Sequence, residues 1–325
     1  MKLILQNLII FTLFLIQTTL SVHDIYSLEN VGLKQILDNS GCMCGIERVS
    51  SRIINGIEIK RGRYPWFAQL PICGGFLISN IHVMTSAHCI KDMLKRGLEF
   101  KVVLGLHELK DFDSFPSLEV IDYVWPDEYD DDNIYYDIGI LTLKEPVLFI
   151  DGFNPVCLPN FDETDNMFVY GFGKQYRYGH LRDAEVMHEV ELDRIPAEVC
   201  ENHLRGKKWF QDLFTQPQTF DDKLTMCSMN HMRNTNICKG DSGSPVSTRK
   251  DGQIYAVGIP SIVHKTCNTD QVMRPTLYEK VFAHQDWIRE KTKDGQFCYG
   301  KHHPFNKPIV TSIGHNWSNK LVMVN

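Results

Sequence analysis

The sequence predicts an all-β protein, a barrel or sandwich of short antiparallel strands. Apolar runs rich in β-branched and aromatic side chains recur through residues 63–281, and Gly, Pro, Asn or Asp bounds them. A single stretch near the C-terminal end has clear helical spacing. Many short strands punctuated by turn residues suit a barrel or sandwich better than alternating strands and helices.

The elements follow in order. Met1-Lys2 and the apolar run LILQNLIIFTLFLIQTTLS (3–21) read as a secretory signal peptide over residues 1–21. Gln6 and Asn7 interrupt that run and leave it short of the ~20 apolar residues of a spanning helix, so no membrane association is expected. Residues 22–52 are a short polar stretch ending GCMCGIERVSSR. The strand-like runs are RYPWFAQLP (63–71), CGGFLISNIHVMTSAHC (73–89), FKVVLGLHEL (100–109), LEVIDYVW (118–125), DIGILTL (137–143), NMFVYGFGK (166–174), EVELDRI (189–195), QIYAVGIPSIV (253–263) and TLYEKV (276–281). The helix is FAHQDWIREKT (282–292), whose Phe282, Trp287 and Ile288 are expected to share an inward face. Residues 293–325 have little periodicity and read as a tail, with a glycosylation sequon at Asn316.

Composition excludes several classes. A chain of 325 residues, 43% hydrophobic and 23% charged, is long enough for a sizeable core. Its formal charge of −6 and lack of a basic stripe argue against nucleic acid as a partner. Ten cysteines in a chain read as secreted point to disulfides. The closest pair, Cys42-x-Cys44, lacks a matching pair at zinc-finger spacing, so no metal is expected.

The chemistry concentrates in NTNICKGDSGSP (234–245). A serine hydroxyl is a weak nucleophile at neutral pH and needs an imidazole to take its proton and a carboxylate to orient that imidazole. Ser242 lies between glycines, where the backbone N–H groups of Gly240 and Ser242 are suited to an oxyanion. Upstream, TSAHC (85–89) offers His88 and YYDIGILTL (135–143) offers Asp137.

These three segments resemble the active-site blocks of the chymotrypsin and trypsin family of serine peptidases, in that family's order His, Asp, Ser. The resemblance covers about residues 44–292 and implies two antiparallel six-stranded β-barrels with a C-terminal helix, the peptidase domain occupying 53–292. It makes His88 the general base, Asp137 its orienting carboxylate and Ser242 the nucleophile, with an oxyanion hole at Gly240 and Ser242. SRIINGIE (51–58) resembles the family's activation junction. Cleavage between Arg52 and Ile53 would free an ammonium that pairs with Asp241, and residues 22–52 would be a propeptide. Burying either charge alone is costly, so the precursor is expected to be inactive.

The resemblance also implies the pairs Cys73–Cys89, Cys200–Cys227, Cys238–Cys267 and Cys44–Cys157, leaving Cys42 for Cys298; exchange of Cys42 and Cys44 is the alternative. At the base of the primary pocket stands Asn236, where an aspartate would select Arg or Lys, with Ile237 beside it. Val263 and Thr276 stand where many relatives carry glycines, as in pancreatic elastases, which implies a short pocket for a small aliphatic P1 residue. Ser261 lies in the segment that pairs with substrate backbone. The alternatives are trypsin-like or chymotrypsin-like specificity, and a non-catalytic binding protein on the same fold.

Leu106 replaces a carboxylate that binds calcium in several relatives, so neither calcium nor a cofactor is expected. Ser244 stands where the family has a second glycine; a positive φ there would cost about 1 kcal/mol. The acidic run Asp127, Glu128, Asp130, Asp131 and Asp132 borders the expected cleft and reads either as a preference for basic substrates or as a solvated loop. The long segment 201–226 reads as an exosite or a tolerated insertion. The implied partners are protein or peptide substrates, an activating protease and protein inhibitors.

Overall fold

The computed structural model describes residues 42–47, 61–133, 135–149, 154–162, 164, 166–177, 180–182, 184–215, 218–229, 237–262 and 274–304. The signal peptide, Arg52, Ile53, Asn236, Val263, Cys267 and Asn316 lie outside them.

Two closed antiparallel barrels of six strands each follow one another along the chain. The first comprises β1 (Phe67–Gln69), β2 (Gly74–Leu77), β3 (His82–Thr85), β4 (Lys101–Leu104), β5 (Leu118–Val124) and β6 (Gly139–Leu143), closed in the order β1-β2-β3-β6-β5-β4. The second comprises β7 (Asn166–Gly171), β10 (His188–Ile195), β11 (Thr225–Ser228), β12 (Val246–Lys250), β13 (Gln253–Ile262) and β14 (Thr276–Lys280). A separate hairpin pairs β8 (Gln175–Arg177) with β9 (His180–Arg182). Closure leaves neither barrel with an edge strand to cover.

β-branched and aromatic side chains fill both interiors. One cluster runs from Trp66, Phe76, Val83 and Leu141 of the first barrel to Tyr170, Phe172 and Ile259 of the second. Because the core is continuous between the barrels, the loops of each are held in fixed relation to those of the other.

Several elements are absent from the sequence reading. Helix α1 (Ala87–Arg96) directly follows β3 and buries Ala87, Cys89, Ile90 and Met93. It ends at Gly97, which takes φ 61° and donates its N–H to Leu94 O, while Lys95 and Arg96 complement the helix C-terminus. Helices α2 (Ala197–Leu204) and α3 (Lys208–Gln211) lie in the long segment, where Cys200, Leu204 and Phe210 pack with Cys227 and Leu277. Strands β11 and β12 are short and half polar, which hides them from a period-two reading.

The expected terminal helix forms as a 3₁₀ turn, Val281–His284, followed by α4 (Gln285–Lys291). The tighter turn rotates Phe282 outward to 38% exposure and brings Val281 and His284 inward, so the expected inward face holds at Ile288 but not at Phe282.

The stretch read as a tail begins with a packed segment. Residues 293–304 lie on the second barrel beside the 42–47 segment: Cys44 N–H donates to Tyr299 O and Tyr299 N–H to Cys42 O, each at 2.9 Å, and Gln253 Nε2 donates to Cys44 O at 3.0 Å. Disulfides Cys42–Cys298 and Cys44–Cys157 fasten this clasp, while Cys73–Cys89 and Cys200–Cys227 staple each barrel. Cys238 is also disulfide-bonded. A buried Ser79–His82 hydrogen bond of 2.8 Å, with Asp294 3.3 Å from His82, ties the same segment to β3.

Candidate active site

The site is assembled from loops of both barrels. Cys89, pinned to Cys73 ahead of β2, fixes the first turn of α1 and with it His88. Asp137, 3% exposed, immediately precedes Ile138 and β6 and turns both carboxylate oxygens toward His88. Oδ2 lies 2.7 Å from His88 Nδ1, and Oδ1 accepts the His88 main-chain N–H at 2.9 Å. The second bond fixes the carboxylate plane, so the first sets the rotation of the imidazole and calls for its proton on Nδ1. Burial pushes the His88 imidazolium down, but the Asp137 charge and hydrogen bond outweigh it and hold His88 above its ordinary value. The ring remains 29% exposed, open to a reacting partner.

Ser242 comes from the second barrel, in the loop between Cys238 and β12. Its carbonyl accepts the Gly74 N–H at 2.8 Å, joining this loop to the residue after Cys73. Gly243 takes φ +76°, and a Cβ there would stand 2.2 Å from Thr85 Oγ1 and 2.4 Å from Gly74 O. Only glycine allows the serine loop to seat against the end of β3, one turn from His88.

Asp241 points the other way, into the second barrel. Its oxygens accept N–H groups from Gly173 and Cys238, each at 2.9 Å. A Cβ on Gly173 would lie 1.9 Å from Asp241 Oδ2, so that glycine makes room for the carboxylate. Burial pushes the Asp241 carboxyl up to about 6 although both N–H donors pull it down. Among the described residues, the neighbours that act on this buried carboxylate are the two N–H donors.

Ser244 is not among the residues with positive φ, so the expected backbone strain does not arise. The serine instead buries a hydroxyl without a hydrogen-bond partner, in space left by Gly74, whose Cβ would meet Ser244 Oγ at 2.2 Å. Such a hydroxyl costs about 1–3 kcal/mol.

Of the residues read as pocket lining, Ile237 is buried against the Met226 and Tyr278 cluster and Thr276 is buried on β14 opposite Ser228. Ser261 is partly exposed on β13, next to a register shift between Pro260 and Ile262. Lys239 is exposed beside Gly240, and Leu106 is a core residue. Among the described residues, Cys73, His88 and Cys89 form the grouping whose ligand-type atoms approach within 4.8 Å. Both sulfurs are already in the Cys73–Cys89 disulfide and have no thiolate to offer a metal.

The acidic run is engaged internally at two places. Asp131 bridges Lys91 at 2.9 Å and Lys95 at 3.0 Å. Asp132 accepts the Thr215 N–H at 2.6 Å, and Tyr135 donates its hydroxyl to Thr219 O. The long segment therefore clasps the acidic loop at the border of the site.

A model of the trypsin family matches residues 53–288. The chain is 32% identical over 282 residues to proclotting enzyme of Tachypleus tridentatus, covering 79% of this chain and 71% of that protein. It is 27% identical over 256 residues to coagulation factor XI of Bos taurus and 28% over 301 residues to mannan-binding lectin serine protease 1 of Mus musculus, covering 76% and 84% of this chain. It spans about two fifths of the length of those last two proteins, 39% and 40% respectively. Among the described residues no helix is long and apolar enough to cross a membrane.

Proposed function

We propose, from the premise that the chain belongs to the trypsin family of serine proteases, that it is a secreted serine endopeptidase made as a precursor. The observation that carries this reading is the two-point hold of Asp137 on His88, beside the loop that carries Ser242. His88 Nε2 takes the proton of Ser242 as Oγ attacks the peptide carbonyl. The N–H groups of Gly240 and Ser242 stabilise the oxyanion, and His88 then returns the proton to the leaving amine. Water, activated by the same imidazole, hydrolyses the acyl-enzyme and restores Ser242.

Activation follows from Asp241. Cleavage between Arg52 and Ile53 supplies an ammonium for the buried carboxylate, and the two disulfides of the 42–47 segment keep that segment attached afterwards. The carboxyl, raised to about 6, takes up its proton more readily in the folded precursor than in the unfolded chain. Its contribution to stability is therefore present below about pH 4, is lost as pH rises through about 6, and amounts to about 3 kcal/mol. Pairing with the new ammonium offsets that loss. Cleavage should accordingly raise Tm by several degrees at pH 7.5 and by much less at pH 5. Calorimetry of both forms at the two values checks this, with Asp241→Asn removing the difference; an equal rise at both would contradict the pairing.

For specificity, the buried Thr276 and Ile237, together with Asn236 and Val263 from the sequence, support a short neutral pocket. Peptides differing only at P1 should be cut after Ala or Val at least ~10-fold better, in kcat/KM, than after Phe or Arg. Preferential cleavage after Arg or Phe would replace this pocket assignment with a trypsin-like or chymotrypsin-like one. The partners under this reading are protein substrates, an activating protease that cuts after Arg52, and protein inhibitors.

A further inference from the structure

A second buried acid–imidazole pair lies behind Asp137. Glu279, fully buried on β14, brings Oε1 to 2.5 Å from Nε2 of His284, which the 3₁₀ turn Val281–His284 folds back beneath the strand. Tyr136 connects this pair to the first. Its ring meets the His284 ring edge-on at 5.7 Å. Its carbonyl accepts the Ile138 N–H at 2.8 Å, closing a tight turn around Asp137.

That turn is unusual for its sequence. Tyr136 takes φ +61°, a conformation that disfavours a bulky L-residue by roughly 1–2 kcal/mol and persists only where the surroundings enforce it. The ring contact is such a surrounding, and it comes from His284, which Glu279 holds in place. A carboxylate is also an odd choice at this depth. Burial and the nearby Asp137 charge push the Glu279 carboxyl up, against the pull of its hydrogen bond to His284. A buried polar pair of this kind adds little net stability, whereas it can specify one geometry.

We propose that Glu279 and His284 are positioning residues for the general base, holding the Tyr136 turn so that Asp137 keeps both oxygens on His88. This rests on the peptidase reading for its consequence in catalysis, but the geometric claim can be read without turnover. In Ser242→Ala protein, the low-field proton NMR signal of His88 Nδ1–H should persist with Glu279→Gln, which keeps a hydrogen-bond partner for His284. It should shift or vanish with Glu279→Ala.

In activated enzyme with Ser242 intact, Glu279→Ala should lower kcat on the order of 10-fold to 100-fold with KM unchanged, and Glu279→Gln should recover most of the loss. If Glu279→Ala does not fold, His284→Gln carries the same test. It keeps a donor to Glu279 while removing the ring that meets Tyr136, and the signal should shift and kcat fall. A folded Glu279→Ala or His284→Gln protein with the wild-type signal and wild-type kcat would overturn the proposal. Wild-type protein that shows the signal but cuts nothing would instead overturn the peptidase reading, leaving the proton signal to decide the positioning role.

Discussion

Replacing Ser242 with alanine should lower kcat by about a million-fold while leaving KM within a few-fold. In the proposed mechanism the hydroxyl oxygen is the atom that bonds to the substrate carbonyl; Ser244, the other hydroxyl of the loop, is fully buried, and Asp241 points into the second barrel toward Gly173 and Cys238. The loss should not come from misfolding. The bond that seats this loop against the first barrel is made by the Ser242 carbonyl to Gly74 N–H, and main-chain atoms survive the substitution. Binding should survive too, because the pocket residues Ile237 and Thr276 are held by packing remote from the hydroxyl. His88→Ala should cost about as much, and the double variant little more, since the two act as one unit. Initial rates on activated enzyme check this; residual turnover above ~1% of wild type would place the nucleophile elsewhere.

Asp137→Asn should lower kcat by about 10⁴ near neutral pH, the magnitude seen for this change in the family's template enzyme. The geometry shows why the substitution is severe although the shape is retained. Oδ1 is already taken by the His88 main-chain N–H, at 2.9 Å, so the amide nitrogen of asparagine must occupy the place of Oδ2, 2.7 Å from His88 Nδ1. A donor there forces Nδ1 to accept and moves the imidazole proton to Nε2, the nitrogen that must receive the serine proton. The pH profile should move as well. His88 is held above its ordinary value of about 6.5 because the Asp137 charge outweighs burial, so wild-type kcat/KM should rise through a midpoint above 6.5. Without that charge burial is opposed only by the weaker pulls of Asp92 and Asp131, and the midpoint should fall. Profiles from pH 5 to 9 distinguish this from loss of structure, which would lower the plateau without moving the midpoint.

The sequence made some parts of this molecule legible and concealed others for identifiable reasons. Strands such as LEVIDYVW and QIYAVGIPSIV announce themselves because β-branched and aromatic residues cluster between turn residues. Helix α1 was hidden in a run that looks like a continuous strand, although Ser86 before it, Lys95 and Arg96 in its last turn and Gly97 after it are recognisable helix boundaries. The order His88, Asp137, Ser242 was readable, but not that Asp137 would place both oxygens on His88.

The TLYEKV strand was legible, but not that Glu279 and Lys280, which fall on its opposite faces, are both buried. Alternation assigns one of two adjacent charges to solvent. The fold instead gives Lys280 to Asp162 at 2.8 Å and Glu279 to His284 through a turn whose geometry no spacing rule reports. The positive φ of Tyr136 is hidden for the same reason, since tertiary contacts rather than the residue type enforce it.

Fluorophosphonate labelling followed by peptide mapping tests the nucleophile and the activation step together, without knowledge of the substrate. Ser242 should be labelled only after cleavage between Arg52 and Ile53, and hydrolysis of the P1 peptides should appear with the label and disappear with Ser242→Ala. Clean release of the Ile53 N-terminus with Ser242 unlabelled and every peptide intact would contradict the peptidase assignment and identify a binding protein on this fold.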